Sequence, residues 1–82
     1  MKLSESDFNI IENFKNKFAH LLDEQIVLYG LGEKTKLLLD NLPEFNFAAL
    51  MDKNSVGLKI FNLPVIAPDE VLKFSKNIII VC

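Results

Sequence analysis

The chain has 82 residues, half of them apolar, with a net charge of −2, an isoelectric point near 5.2 and a mean hydropathy of +0.24. That length makes one small domain burying roughly 60–65% of its unfolded surface, and the mildly acidic balance excludes a field built for a polyanion such as nucleic acid. The lone cysteine, Cys82, excludes an internal disulfide, and neither the opening MKLSESDF nor the run IIIVC serves as a secretion signal or a membrane span, so a cytoplasmic domain is expected.

Ser4 stands three residues before Asp7, which marks a helix start. Phe8, Ile11, Phe14, Phe18, Leu21 and Leu22 then recur at helical spacing between polar residues, predicting an amphipathic helix of about five turns. Its aromatic stripe is expected in the core or at a dimer seam. His20 falls at the helix end, where a cation suits the dipole, and it has no second His or Cys nearby to make a metal site.

After Asp23-Glu24-Gln25 the period changes. Ile26–Tyr29 is a short apolar strand of the buried parallel type, and Gly30-Leu31-Gly32 is a turn. Leu31, Thr35, Leu38, Leu39 and Leu42 fall on one face of a helix that Pro43 ends. Phe45–Met51 is the next strand, closing at Asp52, and Lys53–Gly57 is turn-rich. A short strand within Asn62–Ile66 is confined by Pro64 to its first residue or to a sheet edge. Pro68-Asp69-Glu70 opens a further helix through Phe74, with the two acids placed to suit its dipole. Asn77–Cys82 is expected as a fully buried strand, and a chain closing on such a strand is expected to be a piece of a longer protein whose sheet continues.

Strand, turn, helix, strand is a βαβ unit, and its crossover is expected to be right-handed. The predicted fold class is therefore α/β: a three-layer, Rossmann-like small parallel sheet of about four strands in the order 3-2-1-4. Residues 25–82 are expected to form this Rossmann-like domain, and residues 1–24 an added N-terminal helix. In that order the strand at Ile26 is central, and ligands bind at the carboxyl ends of such strands.

The Gly30-Leu31-Gly32 turn lies there. In a dinucleotide fingerprint the first glycine makes the tight turn and the second lets backbone approach a pyrophosphate. An acid about 20 residues on then holds ribose hydroxyls. Gly30, Gly32 and Asp52 supply these parts, while the third small position is Thr35, which sets the helix slightly farther out. Backbone N–H groups of residues 32–35 would point at a bound anion, with Lys34 adding charge and Glu33 opposing it. The candidate ligand-binding residues are thus Gly30, Gly32, Lys34, Thr35 and Asp52. Alternatively, the glycines are only the sharpest way to turn a strand into a helix, and Asp52 only caps a turn. No catalytic constellation is visible: His20 and Cys82 lie far apart in the pattern, Lys59, Lys73 and Lys76 read as solvated charges, and no metal is expected.

Together IVLYGLGEKTKLLLDNL, FAALMDKNSVGLKIFNLPVIAPDEVLKF and NIIIVC resemble the Rossmann-like N-terminal domains of bacterial sugar O-acyltransferases that bind a nucleotide-sugar. They are similar also to nucleotide-binding domains attached to other sugar-modifying enzymes and glycosyltransferases. The shared parts are the glycine turn at Gly30 and Gly32, Asp52 ending a strand, the G-x-x-I-x-x-x-P-V loop at Gly57–Val65, and the Pro68-Asp69-Glu70 helix start. The resemblance covers residues 25–82. It implies a nucleotide or nucleotide-sugar, such as a UDP-sugar, over the glycine turn, with Asp52 near the ribose or base. The same layout occurs in NAD-binding redox repressors and CoA-binding domains, so NAD and CoA stay open as ligands. The acyltransferases carry their catalytic histidine in a separate repeat domain to which nothing in this chain corresponds. Half the residues being apolar further predicts a covered surface, against a second copy or a missing C-terminal domain. An interaction or oligomerisation domain with a vestigial pocket is the alternative.

Overall fold

A computed structural model of the chain describes residues 3–74 and 77–81. The elements run α1 (Glu5–Phe18), a 3-10 turn (Ala19–Leu21), β1 (Gln25–Tyr29), α2 (Glu33–Asn41), β2 (Asn46–Met51), β3 (Lys59–Ile60), β4 (Leu63–Ile66), a 3-10 turn (Pro68–Glu70), α3 (Val71–Phe74) and β5 (Asn77–Ile80). The sheet has the order β3-β4-β2-β1-β5. β1 pairs in parallel with β2 and β5, and β2 with β4, whereas β3 joins β4 as an antiparallel hairpin. The expected order of four parallel strands is therefore present, with a two-residue edge strand added.

Burial explains why β1 sits in the middle. Ile26, Val27 and Leu28 are wholly buried, which a central strand with both faces covered requires. Ile26 and Leu28 join Leu50 of β2, Val65 of β4 and Ile79 of β5 beneath Ile11 and Phe14 of α1 and Leu38 of α2. Val27, Ala49, Met51 and Ile66 face the other way and meet Val71 at the start of α3. Helical residues thus lie on both faces, and α1 packs into the same core as the sheet.

A bulge in β2 sorts its side chains between these faces. Ile26 pairs with Phe47 and Val27 with Ala49, which leaves Ala48 over. Without that extra residue Phe47 and Ala49 would point to the same side. With it, Phe47 packs with Phe14 and Phe45 (ring centroids 5.9 Å apart in each pair), and Ala49 faces α3.

Four expectations need correction. Phe8 belongs to a stripe expected in the core or at a dimer seam but is 54% exposed and so lies outside the core, because a helical wheel places it near the margin of the arc centred on Ile11, Phe14 and Phe18. Leu22 is exposed as well, since it follows the 3-10 turn that ends the helix. Pro64 is the second residue of β4, an inner strand, and not a first or edge residue. Its nitrogen is tolerated because Val65 turns its own backbone toward Leu58 (N···O 2.9 Å), leaving Pro64 to face β2 ahead of the Leu50↔Val65 pair where that ladder begins. Finally, β5 is not fully buried. Ile79 is buried, but Ile78 and Ile80, on the opposite face of the sheet, are exposed. Cys82 and Lys76 lie outside the described residues.

Candidate functional site

The glycine turn stands at the carboxyl end of the central strand, and its two glycines do different work. Gly30 has φ +141°, a backbone conformation that side chains disfavour, and a Cβ built on it would lie 2.5 Å from the Val81 carbonyl oxygen. β5 runs alongside β1, its last bond from Val81 N–H to the Tyr29 carbonyl at 2.8 Å, and Gly30 is the notch that lets it pass. The need for glycine at position 30 is therefore met inside the protein.

Gly32 differs. Its φ of −82° is open to any residue, and a Cβ there would meet nothing within 4 Å. It is the residue preceding α2 and has no side chain to cap that helix. The first helical bond runs from Lys36 N–H to the Gly32 carbonyl at 3.3 Å, so the amides of residues 33–35 come before the ladder. By contrast, the amide of Asp7 in α1 donates to the Ser4 hydroxyl at 3.0 Å, and Ala67 N–H donates to the Glu70 carboxylate at 3.2 Å. α2 thus presents an uncapped amino end, carrying the positive pole of its dipole, at the rim of a parallel sheet.

Thr35 locks strand to helix. It is wholly buried, and its hydroxyl donates to the Gly30 carbonyl at 3.0 Å. The hydroxyl satisfies a backbone acceptor in the tight turn that a third small residue would leave bare. A cleft of about 230 Å³ opens beside it, lined by Gly32, Glu33, Lys34, Thr35 and Val81. Lys34 is exposed and makes no ion pair among the described residues, while Glu33, also exposed, brings a negative charge to the same opening.

Of the five sequence-derived residues, four thus lie in one turn, and three of those line the cleft. Asp52 follows Met51, which pairs with Tyr29, so it stands level with Gly30 one strand away. Its amide donates to the Ile66 carbonyl at 3.3 Å, and its side chain is half-buried, but it does not line the cleft. Val81 was not anticipated as a lining residue. The signal was available: a parallel strand beside Ile26–Tyr29, continued one step, brings residue 81 against residue 30.

A larger groove of about 380 Å³ lies between the amino end of α1 and α2, lined by Leu3, Asp7, Glu33, Lys36, Leu37, Asp40 and Asn41. Three of its side chains are acidic, and its one lysine, Lys36, is bonded to Asp40 at 3.0 Å, so it repels anions despite its size. Among the described residues no cluster of His, Cys, Asp and Glu could hold a metal ion, and no helix is long and apolar enough to cross a membrane. Compared with models of protein families, with curated proteins and with solved structures, the chain matches none.

Proposed function

We propose that this chain is a Rossmann-like module that binds a nucleotide or nucleotide-sugar, non-catalytic by itself, working within a larger sugar-modifying enzyme. The observation that carries the binding is the open space at Gly32 above the bare amides of α2. A phosphate seated there accepts hydrogen bonds from amides 33–35 and lies at the positive end of a nine-residue helix. Lys34 contributes the side-chain charge, and Asp52, level with Gly30 in the neighbouring strand, is the acid available to ribose hydroxyls. Glu33 opposes the phosphate charge and sets a limit on affinity, so binding rests on backbone donors more than on net charge. The link to sugar-modifying enzymes rests on the resemblance of residues 25–82 alone.

A UDP-sugar is the favoured ligand, with NAD and CoA as competitors. Isothermal calorimetry with UDP, UDP-sugars, NAD(H) and CoA is the direct test. Heat with a uridine nucleotide, lost in Gly32→Val while the fold is retained, supports the reading. No heat and no thermal shift with any of the four would leave an interaction domain with a vestigial pocket. That second reading draws on Gly30, whose conformation the packing of Val81 already explains.

A further inference from the structure

We infer that, given the nucleotide-sugar reading above on which this step rests, the sugar lies in a hollow between α1 and α2 that adjoins the glycine cleft, and that Asp7 there admits an uncharged sugar and rejects an acidic one. This second hollow, of about 290 Å³, is lined by Asp7 and Ile10 of α1 and by Glu33, Lys34 and Leu37 of α2. It shares Glu33 and Lys34 with the glycine cleft, so the two meet across the first turn of α2. The cleft by itself, at about 230 Å³, is smaller than the roughly 300 Å³ from which small-molecule sites begin. A ligand with its phosphate on the α2 amides therefore needs the space next to it.

Helix geometry builds the hollow. Asp7 and Ile10 stand three residues apart in α1, and Glu33 and Leu37 four apart in α2, so each pair shares one face of its helix. Ile10 and Leu37 are half-buried and pack on the main core, which gives the hollow an apolar floor. The Asp7 amide is taken up by the Ser4 hydroxyl, but neither the Asp7 nor the Glu33 carboxylate makes an ion pair among the described residues. Lys34 is the one cation in this lining, and it also lines the cleft, where a phosphate claims its charge. What is left for the rest of the ligand is an apolar surface and two unneutralised acceptors. A sugar ring suits both, laying its C–H face on Ile10 and Leu37 and donating hydroxyl hydrogens to the carboxylates. A uronic acid in the same place sets a third carboxylate beside Asp7 and Glu33 and is repelled. By this reading α1 serves the ligand as well as the core.

The test is calorimetry of the whole chain with UDP, UDP-glucose and UDP-glucuronate, since the two sugars differ only in a hydroxymethyl group against a carboxylate. UDP-glucose is expected to bind at least about fivefold more tightly than UDP-glucuronate, and the gap should shrink in high salt. Asp7→Asn keeps the size and removes the charge, and should narrow the gap to about twofold or less. Because Asp7 meets the Ser4 cap through its backbone amide, this variant keeps its fold, which circular dichroism checks. In amide NMR spectra UDP-glucose should also move the signals of Asp7, Ile10 and Leu37, which UDP alone leaves in place. If UDP itself gives no heat, the nucleotide reading fails and the sugar hollow with it. If UDP binds but the two UDP-sugars bind alike, Asp7→Asn leaves their gap unchanged, or UDP-glucose leaves the Asp7 and Ile10 signals in place, the nucleotide reading stands and the sugar lies elsewhere.

Discussion

At the scale of single residues, the turn after β1 separates architecture from opportunity. A methyl group at position 30 must sit 2.5 Å from a backbone oxygen and hold φ near +141°, so Gly30→Ala is expected to cost roughly 2–4 kcal/mol. Gly32→Val meets open space and costs no more than about 1 kcal/mol, chiefly as a poor residue before a helix. Thermal unfolding of both variants, set beside nucleotide calorimetry, reads the two glycines apart: Gly30→Ala should melt early, whereas Gly32→Val should melt normally and fail to bind. A Gly32→Val protein that binds as the parent does would remove the cradle. Thr35 gives a third residue-level outcome. Thr35→Val keeps the shape but strands the Gly30 carbonyl, at a cost of about 1–3 kcal/mol, and Thr35→Ser, which restores the hydroxyl, should recover most of it.

At the scale of elements, most of what is local was legible and most of what is relational was not. The three apolar residues Ile26–Leu28 identify a buried strand from sequence, and Pro43 and Pro68 bound helices as their chemistry requires. The β3–β4 hairpin escaped because its turn is Phe61-Asn62, with φ of +50° and +66°, where a primed two-residue turn ordinarily advertises itself with Asn-Gly. Phe61 accepts the disfavoured backbone because its ring packs against the main core. Asn62 has no such compensation and is tolerated as the residue type best suited to that region. Asn62→Ala is therefore expected to lose about 1 kcal/mol and Asn62→Gly to lose little, measured by denaturant titration. The half-exposed state of β5 was hidden for a related reason. Consecutive isoleucines report that a strand is apolar, not which of its faces is covered, and of the three only Ile79 turns into the core shared with α1 and α2. At the glycine turn the spacing of Gly30, Gly32 and Thr35 located the cleft, but only the β1–β5 register revealed Val81 as its wall.

At the scale of the whole molecule, the sheet decides how much damage the domain tolerates. A chain of 82 residues has a total stability of about 4–12 kcal/mol. Leu50 is wholly buried in β2, paired with Leu28 on one side and Val65 on the other, and it belongs to the core that α1 and α2 cover. Leu50→Ala empties that position from three directions, for which large-to-small substitutions cost about 2–5 kcal/mol. Since about 1 kcal/mol moves the midpoint of a domain this size by roughly 4–8 °C, the variant is expected to melt at least about 10 °C lower, as followed by circular dichroism. Ile80→Lys, on the exposed side of the sheet, should leave the midpoint nearly in place. The contrast tests the layering itself. If both substitutions lowered the midpoint equally, Ile80 would be buried in the folded chain, and the division between a covered core and an exposed β5 face would be wrong.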